Sequence, residues 1–387
     1  MWPSEQGAAR STRTRRPVGD GVTVAGADLL ERAAELVDIP SESGSEAALV
    51  AHLEQQLSDV GWLELTRVGD NLVARTELGR GQRLVLAGHT DTVPANGNQG
   101  ARVDGDRLVG LGAADMKGGL AVMVELARTV AEPAVDVTYV FYAREEIAAA
   151  DSGLLELATL RPDLLAGDAA LLGEPTSGQL EAGCQGTMRI RITVRGRRAH
   201  TARPWMGRNA IHRAAEVVGA VAGSDERRPV IGGCEFREAL QVVAIEGGVA
   251  PNVVPDLAVV TLNHRFAPDR DAAAAEAHVR AVVGDLVDLG AGDAFEVVDV
   301  AEGAAPATGH PLVAALVARN RLEVNAKLGW TDVARFAALG VPAANFGPGD
   351  ATMAHTAGEL VTRGDLESVH RALDDLLRRG VDPQAAP

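Results

Sequence analysis

Three near-continuous apolar runs, each closed by acidic or histidine residues, constrain this chain more than any other feature. The first, RLVLAGHTD at 83–91, ends in His89 and Asp91. The second, VTYVFYAREE at 137–146, ends in Glu145 and Glu146, and the third, AALLGEP at 169–175, carries Glu174. Runs without polar alternation read as strands buried on both faces, which implies a mostly parallel sheet covered by helices. Helical spacing at 27–37, a second helix capped by Ser45 and running to Leu57, and a helical stretch at 118–130 supply that cover. The alternation is that of an α/β protein. Ligands of such sheets sit beyond the carboxyl ends of the strands. A histidine and four carboxylates gathered there repel one another unless a cation neutralises them.

Two further residues extend the set. Asp115 lies in GLGAADMKGG, where glycines let the backbone bend closely just before a helix. His355 lies in GPGDATMAH, after a strand-like stretch at 342–347. Each piece is weak alone: a bare EE is usually a solvated helix face and GEP a turn. In this order they form a histidine and carboxylate cluster of the kind that suits zinc.

The middle of the chain changes character. MRIRITVRG alternates strictly, with Met188, Ile190, Ile192 and Val194 on one face and Arg189, Arg191, Thr193 and Arg195 on the other. That marks a half-solvated strand of an antiparallel sheet. A helix at 209–222, strands at 240–246 and 257–266, a helix at 270–289 and a strand at 294–300 complete a β-α-β-β-α-β unit of ferredoxin-like order. Residues 188–301 are therefore expected as an inserted domain, with 23–187 and 302–387 forming the catalytic α/β domain. The α/β pattern returns with helices near 312–321 and 365–379. Residues 1–22 hold Arg10, Arg13, Arg15 and Arg16 without an apolar stretch, which predicts a disordered tail rather than a secretory signal.

Composition excludes several classes. The formal net charge of −16 over 387 residues disfavours nucleic-acid binding. No apolar run approaches the roughly 18 residues that cross a bilayer, so no membrane partner is expected. Cys184 and Cys234 make no disulfide framework and are expected to be reduced, in keeping with a cytoplasmic protein.

The spaced motifs together resemble the M20-type metallopeptidase family, from about residue 27 to the end. The resemblance implies a zinc-exopeptidase-like catalytic domain with a ferredoxin-like lid and dimerisation domain. It implies two zinc ions, with cobalt an alternative: His89 and Glu174 on one, Glu146 and His355 on the other, and Asp115 bridging. It further implies Glu145 as general base and Asp91 as the residue that hydrogen-bonds and orients His89. In the family, the histidine matched by His200 in RRAHTARPWMGRNAIH enters the partner subunit's active site and stabilises the oxyanion. Asn252 in VAPNVVPD resembles a second residue donated in this way, so a homodimer is implied.

GEPTSGQLEAGCQGT, LGWTDVARF and FGPGDATMAH resemble the actinobacterial-type desuccinylase branch, which acts on N-succinyl-LL-2,6-diaminopimelate. Such an anionic N-acyl amino acid calls for arginine. Arg265 in LNHRF matches a carboxylate-binding position, Thr331 in GWTD a substrate-loop position, and Arg203 and Arg335 are further candidates. Two departures bear on the acyl pocket: Ile147 replaces the usual glycine after the paired glutamates, and Trp330 stands where a small residue is common. Acetylornithine deacetylases, aminoacylases and dipeptidases share the metals and differ in that pocket.

Overall fold

Strands Arg83–His89, Asp136–Tyr142 and Ala169–Leu172 lie side by side and parallel, as their unbroken apolar character demands. Arg83 pairs with Asp136 and His89 with Tyr142, so the first two strands end level. Every residue of Asp136–Tyr142 is buried. This computed structural model describes residues 10–11 and 28–381. The expected tail at 1–22 lies outside the described residues, except for Arg10–Ser11, which pair with Arg67 and Thr66 at one edge of the sheet.

The described residues fall into two compact units. The first comprises the described residues up to 182, 306–325 and those from 335 onward, and the second 183–305 and 326–334. The sequence places the boundaries at 188 and 301 and leaves 326–334, with Thr331, in the catalytic domain. In the structure that short segment groups with the second unit, where the Thr331 carbonyl accepts from Cys184 Sγ and the Lys327 carbonyl from Gln185 N–H. An excursion of nine residues, 326 to 334, has no compositional signature of its own.

The first unit is built on a nine-stranded sheet. Its order is Arg10–Ser11, Glu64–Val68, Asn71–Arg75, Asp136–Tyr142, Arg83–His89, Ala169–Leu172, Ala343–Asn345, Leu180–Ala182, Val324–Ala326. Helix Gly118–Thr129 is buried from Gly118 through Ala127 and packs between helices Leu29–Val37 and Arg363–Arg379. Close approach requires glycine here: a Cβ on Gly119 would strike the Gly173 carbonyl. Helix Leu29–Val37 is capped by Asp28, whose Oδ1 accepts from Leu30 N–H at 2.9 Å. Ser45 does not cap the next helix, Ala47–Ser58. Its N-cap residue is Glu46, which makes no side-chain cap bond and instead accepts from Gly44 N–H (2.8 Å) and Arg144 N–H (3.2 Å).

The second unit holds a four-stranded antiparallel sheet ordered Ala239–Gly247, Leu257–Phe266, Gly186–Arg195, Ala294–Ala301. With helices Ala210–Ala222 and Ala272–Val283 it has the ferredoxin-like order. Met188, Ile190, Ile192 and Val194 join Val260, Leu262, Val217 and Val279 in its core, as the alternation predicts. The second helix is shorter than the 270–289 expected, because Gly284 takes φ +48° and breaks it. A buried bidentate pair, Arg213 to Asp293 at 2.9 and 2.6 Å, ties helix Ala210–Ala222 to the residue that precedes strand Ala294–Ala301. Strand Ala239–Gly247 lies at the sheet edge and exposes Val243 and Ile245. Both cysteines are free and buried, and among the described residues no helix is long and apolar enough to cross a membrane.

Candidate metal centre

His89 is the last residue of its strand and only 1% exposed. Its Nδ1 stands 3.0 Å from the main-chain carbonyl of Asp91. A carbonyl only accepts, so Nδ1 carries a hydrogen, which leaves Nε2 as the nitrogen that would offer its lone pair to a cation once its own proton is given up. Nε2 points at Asp115 Oδ1, 3.0 Å away. Asp115 comes from the turn at 113–117, entered through Gly112 at φ +77°. The other carboxylate oxygen, Oδ2, lies 3.4 Å from His355 Nε2, and that nitrogen is 2.8 Å from Glu146 Oε1. Ligand atoms of His89, Asp115 and Glu146 fall within 4.8 Å of one another. Glu174, following the third strand, is buried, and its charge acts on His89. All five expected ligands thus belong to the first unit.

Asp91 differs in detail from expectation. Its carboxylate is 3.5 Å from His89 Nδ1, farther than its own carbonyl. The closer partners are Ser43 Oγ (2.7 Å), Glu145 N–H (2.9 Å) and Glu146 N–H (3.1 Å). Asp91 therefore holds the backbone of the paired glutamates as well as facing the histidine. Burial raises its pKa, but His89, Ser43 and Glu145 N–H outweigh that and hold it at about 2.

The electrostatics fit a cation. Burial pushes the Asp115 carboxyl up, yet hydrogen bonds from His355 and His89 bring it below its ordinary value. Burial disfavours a charged His89, but Asp115 and Asp91 together raise it well above the usual histidine range. His355 rises to about 9, chiefly through Asp115 and then Glu146. Glu146 is raised by burial and by the Asp115 charge. Protons held by the imidazoles offset negative charge that a divalent ion would offset more fully.

In the second unit, His200 is exposed and its Nδ1 accepts from Ala202 N–H at 3.0 Å. The Asn252 carbonyl accepts from Thr201 N–H at 3.0 Å, and Ala199–His200 pairs with Val253–Val254, so His200 and Asn252 share one loop cluster. Arg203 is exposed on the same turn, its N–H on the His200 carbonyl. Arg265 lies apart on strand Leu257–Phe266, opposite Thr187 and Ala239, and burial lowers its pKa. Arg335 belongs to the first unit, where it donates to the Ala149 carbonyl. Sequence reasoning misses Ser43, Glu46 and Glu359, whose carboxylate or hydroxyl contacts hold the loops bearing the acidic residues. Their one signal is position: Ser43 and Glu46 lie in SESGSE, and Glu359 closes HTAGE.

The model of peptidase family M20/M25/M40 matches residues 85–379. The chain belongs to that family. It is 49% identical over 353 residues to a Mycobacterium tuberculosis protein provisionally named succinyl-diaminopimelate desuccinylase DapE, covering 91% of this chain and 97% of the other. It is 44% identical over 332 residues to the Corynebacterium glutamicum protein named succinyl-diaminopimelate desuccinylase, covering 84% and 89%. Its fold is that of aminopeptidase PepT from Bacillus cereus, with a TM-score of 0.75 at 21% identity, covering 92% of this chain and 99% of the other. It likewise matches a Bacillus subtilis dinuclear metal-binding M20 peptidase, with a TM-score of 0.67 at 16% identity, covering 90% and 96%.

Proposed function

We propose that this member of the M20 family hydrolyses the amide of N-succinyl-LL-2,6-diaminopimelate, releasing succinate and LL-2,6-diaminopimelate in the cytoplasm. The observation that carries the chemistry is the Asp115 carboxylate set between the imidazoles of His89 and His355, with Glu146 against the second. Likeness to proteins named desuccinylase over most of the chain supports the substrate.

Two zinc ions are the proposed cofactor, cobalt being the alternative, held by His89, Glu174, Asp115, Glu146 and His355. When bound, such ions acidify water and polarise the amide carbonyl. Glu145, its N–H fixed on Asp91, takes the proton from the attacking water and returns it to the leaving amine. His200 supports the oxyanion of the tetrahedral intermediate. With Nδ1 accepting from Ala202 N–H, its neutral ring carries hydrogen on Nε2, the donor such an oxygen needs. Asn252, beside it, assists. Arg265, Arg203 and Thr331 are proposed to engage the substrate, the arginines through its carboxylates.

His200 and Asn252 act on a second subunit's centre, so the working form is a homodimer. Exposed Val243 and Ile245 on an edge strand supply apolar surface and unpaired backbone suited to a second copy. The test offers purified, metal-loaded protein both N-succinyl-LL-diaminopimelate and N-acetylornithine. The proposal expects the higher kcat/KM for the succinyl substrate; the reverse order overturns it.

A further inference from the structure

Glu359 stands four residues beyond His355 and is 1% exposed. Its carboxylate receives three main-chain N–H groups from the loop that carries Asp115. Oε1 accepts from Ala114 and from Asp115 itself, each at 3.0 Å, and Oε2 from Gly112 at 3.1 Å. The Glu359 main-chain carbonyl accepts a fourth, from Gly110 at 3.1 Å. Glu359 N–H in turn donates to the Thr356 carbonyl, tying it to the turn beside His355. A second tie joins the same two stretches: Asn98 Nδ2 donates to the Thr356 carbonyl and Leu111 N–H to the Asn98 carbonyl.

Backbone N–H groups gathered on a carboxylate form a charge-assisted cradle whose geometry admits little drift. One glutamate thus grips the Asp115 loop with its side chain while its own backbone belongs to the His355 loop. Lys117, buried nearby, donates to the Ile39 carbonyl and adds a positive charge near Glu359.

Resting on the proposed metal centre, we infer that Glu359 is a positioning residue that sets the Asp115 carboxylate between His89 and His355, and through it the metal affinity. It touches neither substrate nor metal. Groups that orient metal ligands typically change affinity by about 10- to 100-fold when removed.

The test titrates cobalt(II) into metal-free wild type and Glu359→Gln, following visible absorption, with zinc competition for affinity. Gln keeps the shape but turns an NH₂ group or a weaker acceptor toward the three N–H groups. The expected result is binding by wild type and a roughly 10- to 100-fold weaker constant for Glu359→Gln, with an altered cobalt spectrum. Wild type that binds no cobalt defeats the metal centre itself. Wild type that binds, with Glu359→Gln binding equally well, defeats only the role of Glu359, even if the variant unfolds at a lower temperature. Hydrogen exchange on metal-free wild type needs no variant: the amides of Gly112, Ala114 and Asp115 should be protected, and free exchange at all three would overturn the inference.

Discussion

Asp115 faces His89 with one carboxylate oxygen and His355 with the other, at 3.0 and 3.4 Å. A carboxylate in that place can bridge two cations or hold two imidazolium rings. Replacing it with alanine should remove both options. Bound metal, read by elemental analysis, should fall below that of wild type. Activity should fall by about 10³-fold or more, since the loss amounts to several kcal/mol of transition-state stabilisation. Wild-type metal content in Asp115→Ala would contradict the bridging role.

Metal loading should expel protons. In the metal-free chain His355 is raised to about 9 and His89 well above its ordinary value. Raised folded-state values mean that cationic imidazoles stabilise the metal-free fold. That contribution is complete below the unfolded histidine value of about 6.5 and is lost as pH climbs through about 9. A divalent ion needs neutral rings, so binding at pH 7 should release roughly one proton per imidazole. Calorimetric titration in two buffers of different ionisation enthalpy measures the number. Apparent affinity should strengthen as pH rises from 6 to 8, and a flat profile would contradict the assignment.

Glu145→Gln separates chemistry from binding. The glutamate's N–H is held by Asp91, and that contact survives a change of side chain. The substitution should lower kcat by about 10²- to 10⁴-fold, the usual range for a lost general base. Metal content should remain at the wild-type level. Retained turnover would show that the proton is taken elsewhere.

The second unit offers a test of stability alone. Asp293→Ala leaves the Arg213 guanidinium buried without its bidentate partner and frees Arg195 N–H and Asp288 N–H. Removing one member of a buried pair costs about 3–5 kcal/mol. Denaturant unfolding of that unit should report it, and a change under about 1 kcal/mol would show that local rearrangement rescues the arginine.

Much of this architecture is legible in the chain because burial on both faces leaves an unmistakable pattern. The 83–89, 136–142 and 169–172 strands are unbroken apolar text, and the acidic residues at their ends are where a parallel sheet puts its ligands. The alternation of Gly186–Arg195 equally announces a sheet with one wet face. What escapes notice is held together by contacts remote in sequence. Glu359 and the Gly112–Asp115 amides are joined only by the fold, and neither side has a local pattern. Ser45 has the chemistry of a cap, yet the neighbouring Glu46 takes the N-cap position and spends its carboxylate on Arg144. Segment 326–334 joins the second unit through backbone contacts that composition does not encode.

The level pairing of His89 with Tyr142 makes strand alignment itself a determinant of reactivity. Two residues past the end of the first strand, Asp91 meets the amides of Glu145 and Glu146, three and four residues past the end of the second. A single-residue insertion within 83–91 or 136–146 would turn every following side chain to the opposite face of the sheet. Acid, base and histidine would then part company while the protein remained folded. Evolutionary tinkering and protein engineering alike should find these two short stretches intolerant of length change, and the loops beyond them far more forgiving.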